Sequence, residues 1–118
     1  MYVVTPWPNV LYAFDLTKEG YPLRWKYRPD VSPNAIGISC CDTINRGAFY
    51  SDGKLFYNLL DGHTVAVDAK TGKDLWHFST GHSLYASPVT YMLEGKQYVT
   101  IATESDVFTF GLFDGGKR

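Results

Sequence analysis

Two cysteines stand side by side at Cys40 and Cys41, and the 118-residue chain has no others. Cα atoms joined by a trans peptide lie about 3.8 Å apart, short of the roughly 4.4–6.8 Å of ordinary disulfides. An oxidised pair would close a small, strained and rigid ring, flat enough to stack against a planar ligand. A reduced pair would be two thiols, one of them buried as a small hydrophobe. The residues alone leave both states open. Arg46 follows in the same stretch. Its guanidinium could fork onto a ligand's carboxylate or carbonyl oxygen, or pair with Asp42 at the surface.

The remaining polar groups are less pointed. His63, His77 and His82 do not fall at a metal-binding spacing. Glu104 and Asp106 lie two apart and read as a solvated turn, because a catalytic carboxylate pair needs burial or a partner. Ser83 and Ser87 lack the Gly-x-Ser-x-Gly setting of a nucleophile elbow. No Gly-rich loop is shaped to cradle phosphate.

The elements that must position these residues read as strands. The chain is 45% hydrophobic and 16% aromatic, which favours strands and broad packing surfaces. Residues 10–16 alternate so that Val10, Tyr12, Phe14 and Leu16 share one face. Residues 23–28 alternate apolar with basic side chains and suit an outer edge. A loop over residues 29–39, with two prolines and Gly37, delivers the chain to the cysteines. Short strands at 47–50, 55–60, 64–68 and 74–78 are joined by turns at Asp52-Gly53, Asp61-Gly62 and Thr71-Gly72, which is an antiparallel meander. Strands at 85–91, 97–103 and 107–112 follow, the first interrupted by Pro88. No window has helical periodicity, so the chain reads as all-β.

The strand blocks repeat. Ala13-Phe14-Asp15 followed by a turn and Trp25 resembles Ala66-Val67-Asp68 followed by Thr71-Gly72 and Trp76. Repeats of roughly 40–50 residues are the mark of propeller blades. One four-stranded sheet has two apolar faces and needs a neighbour on each. A tryptophan at a fixed place in each blade can dock on the next, with the Thr-Gly turn shaping the approach. The expected fold is thus a partial β-propeller of antiparallel blades, one complete blade flanked by two incomplete ones. Residues 1–118 form a single domain: an incomplete blade at 1–30, the cysteine loop at 31–47, a complete blade at 47–79, an incomplete blade at 84–112 and a frayed tail at 113–118. Exposed blade faces open the chain to self-association.

Bulk properties exclude some partners. A net charge of −1 gives no electrostatic reason to bind nucleic acid or an anionic membrane. No apolar run reaches membrane-spanning length. Met1 leads straight into Tyr2-Val3-Val4, so no signal peptide is read at the start.

The motifs, taken together, carry a resemblance. Ser-Cys-Cys-Asp-Thr-Ile-Asn-Arg-Gly at 39–47, followed by Leu-Asp-Gly-x-x-Val-Ala-Val-Asp-Ala-Lys-Thr-Gly-Lys-x-x-Trp at 60–76, resembles the pyrroloquinoline quinone (PQQ)-dependent alcohol dehydrogenases of the methanol and ethanol dehydrogenase type. The Thr-Gly-x-x-x-Trp pattern is their tryptophan-docking motif. The resemblance implies that Cys40 and Cys41 match a vicinal disulfide stacking on the quinone, and that Arg46 matches an arginine contacting its oxygens. It implies a periplasmic enzyme that oxidises a primary alcohol beside a calcium or lanthanide ion and passes electrons to a cytochrome. Such enzymes are eight-bladed and several times longer. This chain resembles an early part joined to the last part near residues 76–81. No residue matches the metal ligands or the general base, so the lone chain is expected to be inactive. The alternative is a non-catalytic binding or assembly module that oligomerises to complete the ring.

Overall fold

Leu55-Phe56-Tyr57 and Val65-Ala66-Val67 are apolar at consecutive positions, so both faces of any sheet they build must be covered. The computed structural model, which describes residues 1–39, 43–84 and 86–112, meets that demand with three antiparallel sheets. The first contains β1 (Tyr2–Val4), β2 (Leu11–Phe14) and β3 (Leu23–Tyr27) in that order. A single helical turn, α1 (Ala35–Ile38), lies in the connection that follows. The second sheet runs β4 (Phe49–Ser51), β5 (Lys54–Asn58), β6 (His63–Asp68) and β7 (Asp74–Ser79). The third runs β8 (Val89–Leu93), β9 (Lys96–Ala102) and β10 (Val107–Leu112). The fold is a partial β-propeller with blades of three, four and three strands, and no sheet closes on itself.

The second sheet is the shared core. Leu55, Tyr57, Val65 and Val67 meet Leu11 and Val31, with Val4, Trp25 and Tyr27 packed beside them. Phe56 and Ala66 point the other way and meet Val99 and Ile101, with Trp76 and Phe110 at the margin. Strand alternation sends neighbouring residues to opposite faces, so one strand serves two interfaces. Each large side chain buried here contributes about 2 kcal/mol.

The repeated Asp and Trp have matching roles. Asp15 accepts hydrogen bonds from the backbone N–H and hydroxyl of Thr17, at 3.0 and 2.7 Å. Asp68 accepts from the same two groups of Thr71, at 2.7 and 2.8 Å. Each carboxylate thereby organises the turn after its strand. Trp25 lies across the Asp68 turn of the next blade, and its indole N–H donates to the Ala69 carbonyl at 3.3 Å. Only glycine fits beneath the ring: a Cβ on Gly72, whose φ is +75°, would sit 2.6 Å from a Trp25 ring carbon.

Two local expectations are corrected, and the covered face of β2 is identified. The loop holds a helical turn, too short to show periodicity over its four residues. On β2 the buried residues are Leu11 and Ala13, while Tyr12 and Phe14 are half-exposed. The small and branched side chains fit between the sheets, and the aromatics take the open side. The strand expected at 85–91 begins at Val89, after Pro88, which has no N–H to give a ladder.

Candidate functional site

Antiparallel order sorts the loops between the two ends of the sheets. One end collects the β1–β2 loop, the long connection from β3 to β4, the β5–β6 turn, the β7–β8 link and the β9–β10 turn. The cysteine stretch belongs to this end. Cys40, Cys41 and Asp42 themselves lie outside the described residues.

The chain on both sides of them is tied down. Before the pair, the Ser39 N–H donates to the Ala35 carbonyl at 3.1 Å and closes the helical turn. After it, the Thr43 carbonyl accepts from the Trp7 N–H of the first blade at 2.9 Å. Asn45 then grips the second blade. Its Nδ2 donates to the Asn58 carbonyl at 2.8 Å, and its Oδ1 accepts from the Gly47 N–H at 2.9 Å. The Arg46 carbonyl accepts from Ser87 Oγ at 2.9 Å, in the link leading to the third blade. Within a few residues the motif is fastened to the β1–β2 loop, to the end of β5 and to the link before β8.

Three residues that sequence reasoning did not single out stiffen this end. Asn9 is fully buried with φ +60°, and its Oδ1 accepts from the Leu60 N–H at 2.8 Å. Asparagine tolerates the left-handed region better than most residues. The Asn9 carbonyl accepts from the Tyr57 hydroxyl at 3.0 Å. Asn58, at the end of β5, donates to the Ala86 carbonyl and accepts from Thr64 Oγ1 at 2.6 Å. Thr80 Oγ1 bonds the Gly62 carbonyl at 2.9 Å. Two of these are asparagines beside strand ends, where a side-chain amide can stand in for a ladder partner; their position next to turns was the available signal.

Ser87 holds the Arg46 backbone. His63 Nδ1 lies 3.0 Å from Asp61 Oδ1, and His82 Nε2 lies 3.7 Å from Asp106 Oδ2, so two histidines face carboxylates on neighbouring turn residues. Asp106 also accepts from Ser105 Oγ at 2.7 Å, and Glu104 is exposed beside it. His77 pairs with Val65 in the β6–β7 ladder. Among the described residues, no three His, Cys, Asp or Glu side chains gather as a metal cage.

Two donors at this end have no acceptor among the described residues. Arg46 is exposed, and no ion pair or hydrogen bond reaches its guanidinium among the described residues. The Trp7 indole N–H is buried and has no partner among the described residues. A buried donor without a partner costs about 1–3 kcal/mol. A cleft of about 930 Å³ lies elsewhere. It opens toward the other end of the sheets, between the second and third blades, over Phe56, Trp76, Val99 and Phe110, and it includes neither Arg46 nor the cysteine stretch.

Known proteins share this architecture. Residues 2–99 match the glucose/ethanol/alcohol dehydrogenase β-propeller domain of the PQQ family. A lanthanide-dependent methanol dehydrogenase from Methylacidiphilum fumariolicum is 47% identical over 76 residues, which is 64% of this chain and 12% of that protein. Methanol dehydrogenase [cytochrome c] subunit 1 of Paracoccus denitrificans is 42% identical over 82 residues, 64% of this chain and 13% of its own length. Among solved structures, a europium-containing methanol dehydrogenase superposes with a TM-score of 0.74 at 37% identity, covering 87% of this chain and 18% of that one. The chain thus spans about an eighth of the length of these curated relatives.

Proposed function

Because the chain belongs to the glucose/ethanol/alcohol dehydrogenase β-propeller family, we propose that its loop end forms one wall of a pyrroloquinoline quinone site in an alcohol-oxidising enzyme. Cys40 and Cys41, joined as a vicinal disulfide, supply the flat stacking surface, and Arg46 supplies the charge that meets the quinone's oxygens. The observation that carries this reading is the anchoring of the Arg46 segment to the end of β5 and to the link before β8 while its guanidinium stays exposed. With the backbone held, only the arginine side chain has to be ordered on engaging a ligand. The unpartnered Trp7 N–H agrees with an oxygen-rich occupant.

When bound beside calcium or a lanthanide, the quinone supplies the two-electron oxidation of a primary alcohol. This chain's own part is to seat the ring, exclude water from one face and balance negative charge. No residue here is assigned as a metal ligand or as the base that takes the alcohol's proton. The lone chain therefore does not turn over. In the intact enzyme the electrons pass to a cytochrome, in keeping with the name of the Paracoccus relative. A periplasmic location suits a persistent disulfide.

The test is a dye-reduction assay of purified chain with added quinone and either calcium or a lanthanide. The expected result is no methanol- or ethanol-dependent reduction. Clear alcohol-dependent turnover would overturn the assignment of the base and metal ligands to absent parts of the enzyme.

A further inference from the structure

Asn58, buried at the end of β5, bonds in three directions. Its carbonyl accepts from Asn45 Nδ2 at 2.8 Å, its Nδ2 donates to the Ala86 carbonyl, and its Oδ1 accepts from Thr64 Oγ1 at 2.6 Å. Thr64 is itself fully buried, so the hub is rooted inside the second blade. The residue after Ala86 closes a circuit. Ser87 Oγ donates to the Arg46 carbonyl at 2.9 Å, and Arg46 follows Asn45, where the circuit began.

The peptide unit between Arg46 and Gly47 is held at both its polar atoms. Its oxygen is bonded by Ser87, and its N–H donates to Asn45 Oδ1 at 2.9 Å. The unit is planar, so it cannot turn without breaking one of those bonds. Gly47 takes φ +100°, which leads the chain away directly after the arginine. On the other side of Arg46, the Asn45 amide is tied to the Asn58 carbonyl. The Cα that carries the guanidinium stem is therefore fixed from before and behind.

Ser87 is placed to do this by its own neighbours. The Ala86 carbonyl before it is bonded to Asn58, and Pro88 after it is fully buried with a ring that limits its φ. The half-buried serine thus reaches Arg46 from a stiff segment 41 residues further along the chain. A long charged side chain engages a ligand at lower ordering cost when its backbone is already placed.

We propose that Ser87 is a positioning residue for the quinone site: through the Arg46 carbonyl it sets the place from which the guanidinium reaches the cofactor's oxygens. This rests on the reading of the loop end as one wall of that site. Asn45 and Asn58 hold the other side of the same clamp. The β7–β8 link acts on the ligand through the arginine and need not touch it.

Nuclear magnetic resonance on the full, nitrogen-15-labelled chain tests this, with pyrroloquinoline quinone alone as titrant. In the wild type the Arg46 Nε–H signal is expected to move as quinone is added. Ser87→Ala should weaken that binding about fivefold, because the Arg46 backbone must then be ordered during binding. Ser87→Thr keeps the hydroxyl and should bind as the wild type does. In an Arg46→Ala background, followed at the Gly47 N–H, Ser87→Ala should cause no further loss, since the serine acts only through the arginine. Without quinone, amide exchange at Gly47 should be faster in Ser87→Ala and unchanged in Ser87→Thr. Ser87→Val, which differs from the threonine variant only in lacking the hydroxyl, replaces Ser87→Ala if circular dichroism shows the latter unfolded. Equal binding by Ser87→Ala and the wild type, a threonine variant no better than alanine, a further loss in the Arg46→Ala background, or unchanged exchange at Gly47 would each overturn the positioning role and leave the quinone wall standing. A wild type whose Arg46 signal ignores the quinone would overturn the quinone reading and the proposal with it.

Discussion

Gly72→Ala measures how much the docking of Trp25 contributes. The new Cβ would stand 2.6 and 2.8 Å from two carbons of the Trp25 ring, closer than such contacts allow. The ring has little room to retreat. It is bonded to the Ala69 carbonyl and packs beside Tyr2. Alanine at φ +75° costs about 1 kcal/mol in backbone strain alone. Loss of the indole hydrogen bond adds about 1 kcal/mol, and partial exposure of the ring about 1 kcal/mol more. The expected total is about 3 kcal/mol. Gly20→Ala is the control: its φ is +74°, and nothing lies within 4 Å of the added carbon. That variant should lose only the strain of about 1 kcal/mol. Urea unfolding followed by circular dichroism gives both values, and the difference of about 2 kcal/mol belongs to the dock. Equal losses in the two variants would refute the argument that the Thr-Gly turn is shaped by the tryptophan.

Other outcomes follow from the same geometry. Asn58→Ala strands the Ala86 carbonyl and the Thr64 hydroxyl and should cost about 2–3 kcal/mol; a loss below half a kcal/mol, within the noise of surface changes, would contradict the network. Thr80→Val removes the bonds to the Gly62 and His82 carbonyls and should cost about 1–2 kcal/mol in the same melts. Burial first, and then the Asp74 carboxylate, push the Tyr27 phenol from 10.0 up to about 12, and burial also raises Tyr57. Both groups hold their protons more tightly when folded; the contribution of Tyr27 is whole below pH 10 and is lost as pH rises through about 12. Stability should fall from pH 10 upward, less steeply in Tyr27→Phe; identical alkaline slopes would exclude Tyr27 as a cause. Hydrogen bonds from Thr71 hold the Asp68 carboxyl below its usual value. Its contribution is present above pH 3.8 and fades as pH falls through the lowered value, so Asp68→Asn should flatten the acid limb of the stability profile.

Much of the fold was legible because the chain punctuates itself. Asp52-Gly53 and Glu94-Gly95 have positive φ at both positions, the conformation those residue pairs suit in tight hairpins. The repeated Asp and Trp pointed to stacked blades, and Trp25 on Gly72 is that stacking in atomic detail. Less legible was which face of β2 is buried. Alternation marks two faces without saying which is covered; the covered one holds Leu11 and Ala13. The brace of Asn9, Asn58 and Ser87 was hidden for another reason. Each bonds a backbone group far away in sequence, and no local pattern encodes such a partner. Asn45 and Arg46 were visible as a motif, and the structure adds what each is fastened to.

The state of the cysteines tests the proposed site most directly. Purified chain is treated with an alkylating agent without reductant, and its intact mass is compared with that of a reduced and alkylated sample. The account expects no adduct in the first sample and a mass short of the fully reduced chain by two hydrogens, with two adducts appearing only after reduction. Two adducts without reductant would mean that Cys40 and Cys41 are free thiols, and the flat stacking wall would be lost from the account.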